Sequence, residues 1–138
     1  MRRWNGWGDD SDNYLLTEEA QRFVREREGA AQAPADATRD QALSAVPASR
    51  VPHARWFSTD AATRLDHARG QSFPDWIALR SGRIGPVADG VALPATHEEA
   101  VQALEEARKI GAIVIPYGGG TSVVGHLNVP AGDRPVVN

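Results

Sequence analysis

Cysteine is absent from the 138-residue chain. That excludes disulfides, a cysteine nucleophile, thiolate metal sites and a cysteinyl-linked cofactor within it. Lysine is almost absent too: fourteen of the fifteen basic residues are arginine, with Lys109 the exception. Neither sign of charge is in excess, at a net −3 with 24% of residues charged, so composition argues against nucleic acid as a partner and against an acidic tail. No apolar run approaches the ~20 residues needed to span a bilayer, which excludes a transmembrane segment in this stretch. The opening residues Met1 to Asp10 lack the apolar core of a secretory signal, and a cytoplasmic protein is expected. His53, His67 and His97 show no metal-ligand spacing. Asp9-Asp10-Ser11-Asp12 has the carboxylates of a calcium loop without its glycine and terminal glutamate, and reads as a solvated turn.

What is present falls into two parts, residues 1–85 and 86–138. The first is polar and rich in turns. Thr17 to Glu28 reads as a helix closed by Gly29, where a left-handed residue is cheap. Ala30 to Ala37 reads as a linker. Thr38-Arg39-Asp40-Gln41 is a capping box opening a short helix to about Val46. Asp60 to Arg69 is a further helical stretch, ended by Gly70. In 71-QSFPDWIALRSGRIGP-86, Phe73, Trp76, Ile77 and Leu79 fit one helical face, with Pro74 in the first turn. Trp4 and Trp7 read as packing a turn onto the body, and Arg80 and Arg83 as surface residues.

The second part is more regular. Val87 to Leu93 reads as a strand, and Thr96-His97-Glu98-Glu99 as another capping box. Ala100, Val101, Ala103, Leu104, Ala107 and Ile110 recur at helical spacing until Gly111. Ala112 to Pro116 is a short apolar strand, and residues 121–124 and 135–138 read as further strand material. Strand, helix and strand in this order make a parallel unit, and the fold class is α/β (α+β).

The strand ending at Pro116 runs into Tyr117-Gly118-Gly119-Gly120-Thr121-Ser122. Ligands of such units collect at the carboxyl edge of the strands. Residues without a Cβ expose peptide N–H groups to an anion, and the Thr121 and Ser122 hydroxyls add donors. The loop therefore suits a phosphate or pyrophosphate; its bland reading is a tight corner with no ligand. It is not a P-loop, having no lysine, nor a dinucleotide fingerprint, having Val123 at the third glycine position.

Residues 93-LPATHEEAVQALEEARKIGAIVIPYGGGTSVVGH-126 resemble the start of the flavin domain of the vanillyl-alcohol oxidase / p-cresol methylhydroxylase superfamily. Pro94, the capped helix, Ile115-Pro116 and Gly118 to Ser122 occur in the family's order. Arg3-Trp4-Asn5-Gly6-Trp7-Gly8 and Arg64 to Gly85, with the turn His67-Ala68-Arg69-Gly70, narrow the resemblance to the alkyldihydroxyacetonephosphate synthase family. It is strong from about Arg64 onward and loose between Gly29 and Arg55.

The resemblance implies an N-terminal helical and irregular segment followed by the first βαβ unit of an FAD-binding domain. It implies that the FAD pyrophosphate lies on Pro116, Tyr117, Gly118, Gly119, Gly120, Thr121, Ser122 and Val123. Thr121 stands where some superfamily members carry a flavin-linking histidine, so FAD is expected to be non-covalent; His126, five residues on, is expected in solvent or core. In the intact family member, FAD serves the exchange of an acyl for an alkyl group on a lipid-like phosphate substrate without net redox change, and a homodimer is compatible with the resemblance. The remaining contacts and the catalytic residues are expected downstream of Asn138. The chain is thus expected to be an N-terminal piece that binds FAD weakly or not at all by itself. Its end inside an apolar strand is expected to leave a sheet edge unpaired. Two alternatives stand beside this: a fragment of an FAD-linked 2-hydroxyacid oxidoreductase, and a non-catalytic half-domain.

Overall fold

A computed structural model describes residues 3–12, 14–30, 35–52 and 55–138. His53 and the centre of the 30–37 linker lie outside these residues. Among the described residues five helices are followed by a small parallel sheet: α1 Glu18–Glu28, α2 Arg39–Ser44, α3 Ala61–Asp66, α4 Phe73–Arg80, α5 His97–Lys109, β1 Ile113–Val114 and β2 Val136–Val137.

Local chemistry sets the helix starts. Thr17, Thr38, Asp60, Ser72 and Thr96 each accept a backbone N–H with their side chain at an N-cap. The Thr38–Gln41 box is complete, and a second complete box, Ser72 with Asp75, opens α4. The Thr96 box is only half formed. Glu99 reaches one residue further back and accepts the Ala95 N–H at 2.7 Å. At the other end of α5, Gly111 at φ +67° closes a Schellman motif: Ala112 N–H donates to the Ala107 carbonyl at 2.9 Å and Gly111 N–H to the Arg108 carbonyl at 3.1 Å.

β1 and β2 pair in parallel, Ile113 with Val136 and Val114 with Val137. Gly90 bridges Val137 on the other side, and Val91 bridges Ser58 antiparallel. The order across the layer is therefore Ser58, the 89–92 segment, β2, then β1. The strand expected over Val87 to Leu93 is reduced to these bridges, because Asp89 bends the segment to place its carboxylate under β2. The terminal strand is not an open edge: Ile113 and Ile115 N–H bond it on one side and Asp89 and Ala92 N–H on the other. Residues 121–124 form no strand: 121 and 122 are irregular, and Val123 and Val124 are exposed bends. The glycines thus separate a strand from a turn.

Successive valines of β2 face opposite ways, as the pleat requires. Val137 packs with Val51, Phe57, Ala107 and Ala112, and Val136 with Ile115 and Leu127. A third cluster joins α2, α3 and α4 through Ala42, Leu65, Ala68, Leu79, Ile84 and Val87. Small residues, Ala103 and Ala107, let α5 approach the sheet, while Val101 and Leu104 on its predicted apolar face stay 40% and 56% exposed. The face expected on α4 is likewise not buried as a unit. Leu79 is in the core, but Phe73 is 75% exposed and Ile77 54%. α1 buries no residue.

Candidate functional site

The loop follows β1 at the carboxyl edge of the parallel pair. Its three glycines are not equivalent. Gly120 has φ +68°, and a Cβ there would run into the Tyr117 hydroxyl and lie 2.8 Å from Tyr117 Cζ. The fold itself demands glycine at this position. Gly118 and Gly119 do not have positive φ. A Cβ on Gly118 would meet nothing within 4 Å, and one on Gly119 only Thr121 Cγ2 at 3.6 Å, an ordinary contact. Both residues are exposed. Packing therefore leaves room for side chains at 118 and 119, and the chain has none there.

The flanks of the loop are held firmly. Tyr117 donates its hydroxyl to the Asp66 carbonyl at 3.2 Å and tilts its ring on His67, centroids 4.8 Å apart. Ser122 accepts the His126 N–H on its hydroxyl at 3.3 Å, and its carbonyl accepts the Gln71 N–H at 2.6 Å. Pro116, Thr121 and Val123 are exposed. All eight residues expected to contact the cofactor thus form one continuous strand-end, loop and turn.

A cleft of about 610 Å³ opens beside Gly118, between the loop, the N-terminal Arg3–Trp4 and the turn after α3. Three guanidinium groups line it. Arg39 is paired with Asp66 at 2.8 Å, and Arg69 with the fully buried Asp75 at 3.1 Å. Arg3 bonds the Asp12 carbonyl at 2.6 Å and pairs with no carboxylate among the described residues. Arg3 is thus the cation least compensated beside the loop.

Residues outside the expected set also build the site. His67, Arg69, Gly70 and Gln71 wall the loop, although the sequence marks their turn only through Gly70 after a helical stretch and through the family resemblance, with no sign that it would meet the loop. Other candidates fall away. As expected, Arg80 is at the surface, paired with Asp36 at 2.9 Å, and His126 is exposed. Asp9 to Asp12 form a turn in which Asp9 accepts the Ser11 N–H at 3.2 Å. Among the described residues no group of three metal-ligating side chains occurs, and no helix is long and apolar enough to cross a membrane.

The geometry defines a mixed α/β chain with a glycine-rich loop at the carboxyl edge of parallel strands. Its fold is that of alkyldihydroxyacetonephosphate synthase: two solved structures of that enzyme superpose on 99% of the chain with TM-scores of 0.73 and 0.70 at 21% identity. The chain corresponds to 31% and 32% of those structures. No family model matches it. Among curated proteins it is 41% identical over 66 residues to the alkyldihydroxyacetonephosphate synthase of Trypanosoma brucei brucei. It is 33% identical over 79 residues to that of Dictyostelium discoideum and 37% over 81 residues to that of Caenorhabditis elegans. These alignments take in 48%, 57% and 59% of the chain but only 11%, 13% and 14% of the relatives. The resemblance read from the sequence is borne out by these relatives and structures.

Proposed function

We propose that the chain binds FAD non-covalently, as part of a flavoenzyme of the alkyldihydroxyacetonephosphate synthase type. The loop Pro116 to Val123 would hold the pyrophosphate. The observation that carries this reading is the pair Gly118 and Gly119. Neither the backbone conformation nor the packing of the chain requires glycine there. A ligand lying against the peptide N–H groups does require it, because a Cβ would occupy its place. Gly120 shapes the turn, and Tyr117, anchored on Asp66 and His67, fixes where the turn begins. Thr121 offers its hydroxyl as a donor and has no imidazole to bond the flavin. Bound FAD would supply the electrophilic ring for acyl-to-alkyl exchange on a phosphorylated, lipid-like substrate. The curated relatives favour this over a 2-hydroxyacid oxidoreductase, since all three carry the synthase name.

The test is an FAD titration of the protein expressed from the intact reading frame, followed by flavin fluorescence, wild type against Gly119→Val, with circular dichroism as a check on folding. The structure has space for the valine, so the variant is expected to fold and to lose binding. Equal binding by both chains would reduce the glycines to a corner and remove the reading.

A further inference from the structure

Four points after β1 converge on one turn, residues 66–71. Tyr117 reaches the Asp66 carbonyl, Ser122 the Gln71 N–H, Asn128 the Arg69 guanidinium at 3.1 Å, and Asn138, at the end of β2, the His67 carbonyl at 2.7 Å. The turn therefore sits on the carboxyl edge beside the loop.

The contact with Ser122 is the closest of these. Gln71 N–H donates to the Ser122 carbonyl at 2.6 Å. Gly70 lies so near that a Cβ on it would collide with that carbonyl and come within 3.2 Å of its carbon. Its φ is not positive, so only this proximity asks for glycine. The peptide joining Ser122 to Val123 is trans, as are all those described. In a planar trans peptide the C=O and N–H point in opposite directions. Fixing the Ser122 carbonyl on Gln71 therefore turns the Val123 N–H away from the turn. Among the described residues that N–H has no hydrogen-bond partner, and Val123 is 61% exposed.

We propose that Gly70 and Gln71 are positioning residues for the phosphate loop, and that by holding the Ser122 carbonyl they aim the Val123 N–H as a donor to the bound anion. The proposal rests on the pyrophosphate reading above and adds to it a named donor and the element that orients it. The anion-binding loop is then not autonomous: half of its frame is supplied from a turn about fifty residues earlier, as the Tyr117–Asp66 separation of 51 shows.

The experiment is a titration of the ¹⁵N-labelled chain with inorganic pyrophosphate, followed by amide chemical shifts, for wild type and Gly70→Ala. In the wild type the Val123 amide is expected to shift together with Gly118 and Gly119. Gly70→Ala is expected to silence Val123 and to weaken pyrophosphate about tenfold or more, the worth of one hydrogen bond to a charged group, while Val136 and Val137 amides report an intact core. If Gly118 and Gly119 respond but Val123 is silent, or Gly70→Ala binds as wild type does, the proposal is overturned and the pyrophosphate reading stands. No response from any loop amide in the wild type removes both. If Gly70→Ala does not fold, the wild-type Val123 shift decides alone.

Discussion

Arg50 and Asp89 form a two-pronged ion pair across 39 residues of sequence, with Nε to Oδ1 at 3.0 Å and Nη2 to Oδ2 at 2.8 Å. The Asp89 carboxylate also accepts the backbone N–H groups of Arg50 at 3.0 Å and Val136 at 2.8 Å. Arg50 extends to the Gly132 carbonyl at 2.8 Å. One carboxylate thus ties the 49–50 segment, the bend before α5 and the entry to β2.

Replacing that carboxylate is expected to be costly. Asp89→Asn keeps the size but removes the charge and one acceptor. A loss of about 2–3 kcal/mol is expected in urea unfolding, less than for a pair buried on both sides because Arg50 is 42% exposed and regains water.

The same pair sets an acid limb. Burial raises the Asp89 pKa, but the Arg50 side chain and the two backbone N–H bonds outweigh it, and the net shift is downward. A carboxylate lowered in the folded state contributes stability that is present above the unfolded value of about 3.9 and is lost as pH falls through the folded one. Thermal unfolding scans should show the midpoint dropping more steeply below about pH 4 in wild type than in Asp89→Asn.

Arg64 is only 2% exposed, with Nε on the Ala88 carbonyl at 2.7 Å and Nη1 on the Pro47 carbonyl at 2.8 Å. Among the described residues its Nη2 has no partner. Arg64→Ala strands two carbonyls and opens a cavity, and a loss of about 2–5 kcal/mol is expected. Arg64→Met fills the space and removes the uncompensated N–H, so it should cost clearly less. Comparison of the two midpoints in guanidinium checks the order.

The glycines of the loop should separate by stability. Gly120→Ala forces a side chain into φ +68° and against Tyr117, with an expected cost of about 1–3 kcal/mol. Gly118→Ala and Gly119→Ala should stay within about 0.5 kcal/mol of wild type. Differential scanning fluorimetry on the three variants reads this without any ligand.

α1 should be the first element to yield to a protease. It buries no residue, and Arg22, Arg25 and Arg27 are exposed. Brief trypsin treatment is expected to cut after these arginines while mass spectrometry finds the 55–138 region uncut.

Much of the architecture was legible in neighbouring residues. The capping threonines, Asp60, Gly29 and Gly111 act within a turn of their own position, so the helix starts and two of the helix ends follow from local hydrogen bonding. The glycine run after an apolar strand was legible as a loop, because residues without a Cβ favour a turn there. Which apolar residues would be buried was not. Phe73, Ile77 and Leu104 fit a helical stripe as well as Leu79 and Ala107 do, yet only the last two meet another element.

The sequence by itself determined most of the helix caps, because these depend on side chains reaching their own backbone, and it marked the apolar run and the glycines that become β1 and its loop. Tertiary structure alone decided the rest. It put β2 between β1 and the 89–92 segment, with Asp89 beneath it, and reduced a seven-residue expected strand to two bridges. It also brought Gly70 and Gln71 against Ser122. No local pattern encodes those contacts, since each joins groups whose meeting is fixed only when the sheet and the α3–α4 turn pack together.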